Sequence, residues 1–256
     1  MLILFGERRS SSHYLSCIWR STSGEAGEFV SVAYPQWELV FSRIAGKFEA
    51  TLRGPETAPS RALVAANGSW LGLRFKCGVM MPSIHIKRYI DSAVTLPTVG
   101  DDSFWLARQK WEAPTFDNAD DFISRLVRAG LLIRDPVVCD SLKGEYTGRH
   151  TMRTRQRRFI KATGLTRQAI LANERAHAAL TMLKSGLSVT DTIAELGFSD
   201  QPHLTRSLKR FVGLTPGQLV SGSDHMQLSF VPSPSPGISG VYSTRIDCRF
   251  RSRRDL

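Results

Sequence analysis

No stretch of the 256-residue sequence approaches 18 uninterrupted apolar residues, so no membrane span is expected. The apolar start from Met1 to Phe5 gives way at once to Glu7, Arg8 and Arg9, too short a run for the core of a signal peptide, and a cytoplasmic protein is the expectation. Cysteine is sparse: Cys17, Cys77, Cys139 and Cys248 stand far apart, with no C-x-x-C pair and no histidine at ligand spacing. That argues against a zinc site and a disulfide framework, and for free thiols. The front half holds only two histidines, His13 and His85, in no metal-ligand pattern. A G-x-S-x-G elbow, a Walker loop and a G-x-G-x-x-G turn are all missing, so neither an activated serine nor a phosphate cradle is indicated. The sequence therefore gives no reason to expect an enzyme, a catalytic residue, a metal or a cofactor.

What is present is positive charge, and it is localised. Residues 143–220 carry thirteen Lys or Arg against five Asp or Glu, a net of +8, whereas residues 1–142 carry sixteen against fifteen. The last 36 residues carry five against three. A basic module beside a near-neutral partner is the footprint of polyanion binding, although a solvated basic helix face would give the same count.

Short β-favouring runs fill the front: Phe29 to Tyr34, Trp37 to Ile44, Phe48 to Leu52, Arg61 to Ala65 and Trp70 to Cys77. Pro35, Gly46, Gly54-Pro55, Pro59 and Asn67-Gly68 punctuate them, a spacing that points to a β-sandwich or barrel. Near residue 115 the period changes. Asp117 or Asn118 can cap a helix with Phe122, Ile123, Leu126 and Val127 on one face, and Pro136 ends or interrupts that region. From there to Leu219 the chain reads as helices joined by short turns. The expected organisation is a β-rich domain over 1–115, a helical domain over 116–220 with its core at 145–220, and a mobile Pro/Ser-rich basic tail over 221–256.

Two helical units stand out. In the second, Ser188 caps a short helix holding Ile193, Ala194 and Leu196, Gly197 ends it, and Phe198 fills the corner. Ser199 then caps a helix whose Leu204, Leu208 and Phe211 face inward, with Pro202 tolerated in the first turn, where amides lack helical partners. Its outer face offers Gln201, His203, Thr205, Arg206, Lys209 and Arg210, side chains suited to base edges and phosphates. A hairpin used only for packing is the alternative. Upstream, Thr151 to Thr163 crowds Arg153, Arg155, Gln156, Arg157, Arg158 and Lys161 around a narrow apolar face of Met152, Phe159 and Ala162, ended by Gly164. Between the units, Thr166 to Lys184 reads as one Ala-rich helix, about 27 Å long at 1.5 Å per residue. Two recognition helices on such a spacer could enter successive major grooves, roughly 34 Å apart.

The run from Gly197 to Pro216 resembles the signature of AraC/XylS-type regulators, approximately G-F-S-D-Q-S-H-F-x-R-x-F-K-R-x-x-G-x-T-P, and Arg153 to Thr166 resembles that family's first recognition helix. The resemblance implies a two-domain α+β protein: a cupin-like N-terminal β-barrel and a C-terminal all-α double helix-turn-helix. It implies a sequence-specific transcription regulator with double-stranded promoter DNA as partner. Carried over position by position, Arg153, Gln156, Arg157, Gln201, His203 and Arg206 fall at base-reading positions, and Lys161, Lys209 and Arg210 at phosphate-contacting ones. Arg155 departs from the pattern, since the family packs Leu or Val there. Pro202 also departs, replacing a polar residue. Three short matches, Pro35 to Val40, Gly54 to Thr57 and Leu73 to Lys76, resemble front domains of one subgroup. Trp37, Glu38, Trp70 and Arg74 could line an effector pocket, and alternation between core and surface explains them as readily. RNA polymerase, a small-molecule effector and a second copy in a homodimer are the further partners that such a regulator would have. The competing reading is a small-molecule-binding or enzymatic β-barrel whose helical tail binds nucleic acid without sequence preference.

Overall fold

A computed structural model of the chain describes residues 3–144 and 150–221. The expected tail beyond Ser221, with Cys248, lies outside the described residues. In the front half, strands β1 (Ile3–Arg8), β2 (Leu15–Ser23), β3 (Gly27–Ser31), β4 (Glu38–Ile44), β5 (Lys47–Arg53), β6 (Ser60–Val64), β7 (Ser69–Phe75), β8 (Val79–Met80) and β9 (Ala93–Leu96) follow in order. Next come β10 (Thr98–Val99), β11 (Ser103–Leu106) and β12 (Gln109–Glu112). Six of them form an antiparallel sheet in the order β1-β2-β7-β4-β5-β9; β10-β11-β12 and β3-β6 form smaller sheets. The front half is thus β-rich, as its punctuated apolar runs implied.

Alternation explains the main sheet. Leu39 and Phe41 on β4, Phe48, Ala50 and Leu52 on β5, and Leu71, Leu73 and Phe75 on β7 all point into one core. The opposite face of β4 and β7 carries Glu38 and Arg74, which lie side by side in the register. Phe41 sits at the centre of an aromatic group, with its ring 5.3 Å from Phe104 and 6.2 Å from Phe122.

Phe122 belongs to helix α1 (Ala119–Arg128), where the spacing of apolar residues placed a helix. The expected division near residue 115 groups this helix with the downstream helices, but its Ala119, Phe122, Ile123 and Leu126 are buried in the sheet core. An amphipathic face states that it must be covered, and the sheet covers it. Beyond it β13 (Ile133–Arg134) pairs with β8, tying residue 134 back to the front half. Pro136 does not end a helix but opens one, at the first position of α2 (Pro136–Lys143), where Asp135 accepts from the Val137 amide at 3.0 Å. Helices α3 (Met152–Thr163), α4 (Arg167–Lys184), α5 (Val189–Leu196), α6 (Gln201–Phe211) and α7 (Pro216–Ser221) complete the chain.

One contact couples the sheet to these helices through Gly54. A Cβ built there would lie 1.7 Å from the carbonyl oxygen of Tyr89, backbone that cannot swing aside. Tyr89 ends the 3-10 helix Ile86–Tyr89, on which α3 rests. Gly54→Ala is expected to lower stability by about 1–3 kcal/mol through overpacking, measured by urea unfolding; an unchanged midpoint would contradict the close approach.

Candidate DNA-binding surface

The second unit has the geometry of a helix-turn-helix. Ser188 precedes α5 and accepts from the Asp191 amide at 3.0 Å; Gly197, with φ of 64°, turns the chain through the left-handed region. Phe198 is buried in the corner, and Arg175 of α4 lies over its ring, 4.7 Å from the centroid. The cap of α6 is Asp200 rather than Ser199: its carboxylate accepts from the His203 amide at 2.6 Å. Ser199 is used differently, with its hydroxyl 3.1 Å from Nδ1 of His203. Leu204, Leu208 and Phe211 are buried, which turns Gln201, Arg206, Lys209 and Arg210 outward. His203 is half-buried, with its ring edge against Phe198 at 5.2 Å.

In the first unit, Thr151 caps α3 by accepting from the Thr154 amide at 3.3 Å. Phe159 and Ala162 are buried as the pattern suggested, but Met152 is 58% exposed, because it lies in the first turn ahead of anything that could cover it. Arg153, Gln156, Arg157 and Lys161 are exposed. Arg155, the position out of pattern, is half-buried, and its Nε donates to the His150 carbonyl at 3.1 Å. Arg158 is engaged as well: Nε and Nη2 meet the two oxygens of Asp135 at 3.1 and 3.0 Å. Such a two-pronged pair on the residue that caps α2 staples α2 to α3.

Among the described residues, the other cations on these two helices, Arg153, Arg157, Lys161, Arg206, Lys209 and Arg210, have no carboxylate partner. Of the nine residues singled out in the sequence, eight are exposed and one, His203, is partly engaged by its own turn.

Sequence reasoning missed Asn173 and His177 on the inner side of α4. Asn173 is buried, and its Nδ2 donates to the carbonyl of Ala33 at 2.9 Å; Nε2 of His177 lies 2.7 Å from the same oxygen. Burial lowers the His177 pKa to about 4, against the hydrogen bond to Ala33, which raises it. The signal was there: two polar side chains four apart on the covered face of an Ala-rich helix require a shared partner.

Of the suggested effector-pocket residues, Trp37 parts from the others, which share one face of the sheet. Trp37 is in the core, stacked on Phe75 at 3.8 Å, while Glu38 and Arg74 pair at 3.3 Å on the other face of the sheet. A nearby apolar cleft, lined by Trp37, Met80, Met81, Ile84 and Ile86, holds about 10 Å³, room for one water.

Residues 150–221, spanning α3 to α7, match the family model described as a helix-turn-helix domain. No curated protein matches the sequence. Among solved structures, the chain is similar to the apo form of a lysine-to-alanine variant of ToxT from Vibrio cholerae strain SCE256, at 10% identity over 84% of this chain and 99% of that one, with a TM-score of 0.39. It is also similar to ToxT from Vibrio cholerae O395, at 9% identity over 85% and 97%, with a TM-score of 0.38. A further structure, ToxT from Vibrio cholerae O395 bound to (E)-4-(8-methylnaphthalen-1-yl)but-3-enoic acid, is 10% identical over 85% and 98%, with a TM-score of 0.36.

Proposed function

We propose that the chain, which carries a helix-turn-helix domain over residues 150–221, is a DNA-binding transcription regulator of the AraC/XylS kind that reads its promoter with two helices at once. The observation that carries this reading is the pair of outward basic faces, on α3 and α6, with no described carboxylate to quench them. Arg153, Gln156 and Arg157 on one helix and Gln201, His203 and Arg206 on the other read bases. Lys161, Lys209 and Arg210 neutralise phosphates. The connecting α4 has 18 residues, about 27 Å at 1.5 Å per residue, a length that suits helices in grooves roughly 34 Å apart. Contacts with RNA polymerase, a small-molecule effector or a second copy fall to surfaces that DNA leaves open, chiefly the front half, and the work is done in the cytoplasm.

Selection of randomised duplex DNA by the purified chain at about 150 mM salt, where phosphate attraction is weakened, tests the reading. Two information-rich blocks about one helical turn apart are expected; binding without any enriched sequence contradicts it. Within that site, Arg206→Ala is expected to lose about 1–3 kcal/mol and to relax preference at the base it reads, while Lys209→Ala weakens all sequences alike and lowers the salt slope by about 1. Equal losses for Arg206→Ala on selected and random duplexes would remove its base-reading role.

A further inference from the structure

The two halves of the helix-turn-helix region keep separate cores. Phe159, Ala162, Leu165 and Ile170 gather with Val138 around α3 and the start of α4. Leu180, Leu183, Leu204 and Leu208 gather around the end of α4 and α6. Front-half backbone enters between them. Val32 is fully buried within the second cluster, and Ala33 packs with Ala176 and Phe211.

Ala33 spends its whole hydrogen-bonding capacity here. Its N–H donates to the carbonyl of Phe211 at 2.9 Å, at the C-terminal end of α6, where helix carbonyls have no internal partner. Its carbonyl takes the Asn173 amide at 2.9 Å and lies 2.7 Å from Nε2 of His177, one turn apart on α4. Tyr34 lies on the His177 ring at 4.5 Å. On the same side, a Cβ at Gly213 would meet Pro59 at 3.3 Å and Val30 at 3.5 Å, so the front half also presses on the turn after α6. A domain that merely leaned on its neighbour would do so through surface side chains. Here one front-half residue caps α6 and is bolted to α4, so the angle between those helices passes through it.

We propose that Val32-Ala33-Tyr34 is a working part of the DNA-binding module, setting the angle of α6 on α4 and hence the spacing of the two DNA blocks the protein accepts, with Asn173 and His177 as positioning residues. The inference rests on the two-helix reading above. Neither positioning residue touches DNA, so their effect is on spacing and not on base identity.

The test uses the full chain and the selected duplex, with a partner duplex carrying one extra base pair between the blocks. The wild type is expected to bind the lengthened duplex at least about tenfold more weakly, the scale of one lost base contact. Asn173→Ala with His177→Phe, which removes both donors but keeps a ring on Tyr34, is expected to cut that penalty to about threefold or less, with unchanged base preference within each block. A folded double variant that keeps the tenfold penalty overturns the proposal. Hydrogen exchange in the wild type decides the matter if the double variant fails to fold: the Ala33 amide is expected to exchange more slowly on the selected duplex than on a random one, and equal exchange overturns the proposal. A wild type that selects no paired blocks overturns the two-helix reading instead, which separates the two failures.

Discussion

Replacing Arg74 with leucine is expected to cost about 3–5 kcal/mol of stability, the penalty for leaving half of a buried ion pair behind. Nη2 of Arg74 lies 3.3 Å from Oε2 of Glu38, and the two side chains are 8% and 10% exposed. Burial is the largest single influence on the Arg74 pKa and lowers it, but Glu38, joined by Cys17, Tyr34 and Glu7, together raises it above its usual value, so the guanidinium stays charged. Without Arg74, Glu38 keeps the indole N–H of Trp19 at 3.1 Å and Arg53 at 3.6 Å, which holds the loss toward the lower end of the range. Glu38→Gln added to Arg74→Leu keeps an acceptor for Trp19 while removing the stranded charge, and is expected to restore most of the stability. Urea unfolding of the single and double variants is the measurement. A single variant within about 1 kcal/mol of wild type, or a double variant no better than the single, would show that the pair is not sealed from water.

The same arginine links this pair to the helices. Its guanidinium lies 3.4 Å from the centre of the Tyr34 ring, and Tyr34 in turn lies on His177 of α4. Glu56 joins from the other side: its amide donates to the Tyr34 carbonyl at 2.7 Å, and its carboxylate takes Arg53 at 2.7 Å. A polar chain that begins on the outer face of the sheet thus ends against the connecting helix. Its cost in desolvation is offset by the number of bonds each member makes. Its position accounts for the order of the segment from Val32 to Tyr34, which belongs to no strand.

Elements whose own residues carry their pattern were legible. Leu204, Leu208 and Phe211 recur at helical spacing, Thr151 and Thr166 stand where a helix needs an acceptor, β5 alternates cleanly, and β4 and β7 carry short buried apolar runs bounded by turn signals. The exposed faces of α3 and α6 follow by subtraction. Strands β1 and β2 were not legible, because both faces of β2 carry polar residues, Arg20 and Thr22 on one and Ser21 and Ser23 on the other, and its partner β7 comes from distant sequence. For α1, the sequence named the buried face but not the surface that covers it. Least visible was Ala33, whose role uses only the N–H and C=O that every such residue has. What betrays it is the demand made by Asn173 and His177, which require an acceptor without saying where in the chain it lies.

A second demand on the same helix gives the largest expected pH effect. Glu174 has Oε2 buried without a partner, and burial raises its pKa from 4.5 to about 7. Burial and then this carboxylate push up the thiol of Cys77 across the domain contact, where Gln36 also holds a buried, unpartnered Oε1. The folded chain therefore keeps the Glu174 proton up to about pH 7, whereas the unfolded chain releases it near 4.5. Between those values the folded state binds more protons, so the stability tied to this group falls as pH rises and is lowest above pH 7. His177 runs the other way: its pKa is lowered from 6.5 to about 4, so its contribution is present above 6.5 and lost as pH falls toward 4. Glu174→Gln keeps the shape and removes the titration. The variant is expected to match wild type near pH 4.5 and to exceed it increasingly up to pH 8, by at most about 3 kcal/mol, since the residue is only partly buried. Urea unfolding of both proteins across that range checks the slope. A gap that stays constant with pH would mean that the carboxylate reaches water in the folded protein, and that α4 meets the front half through a wetter contact than its unpartnered oxygens imply.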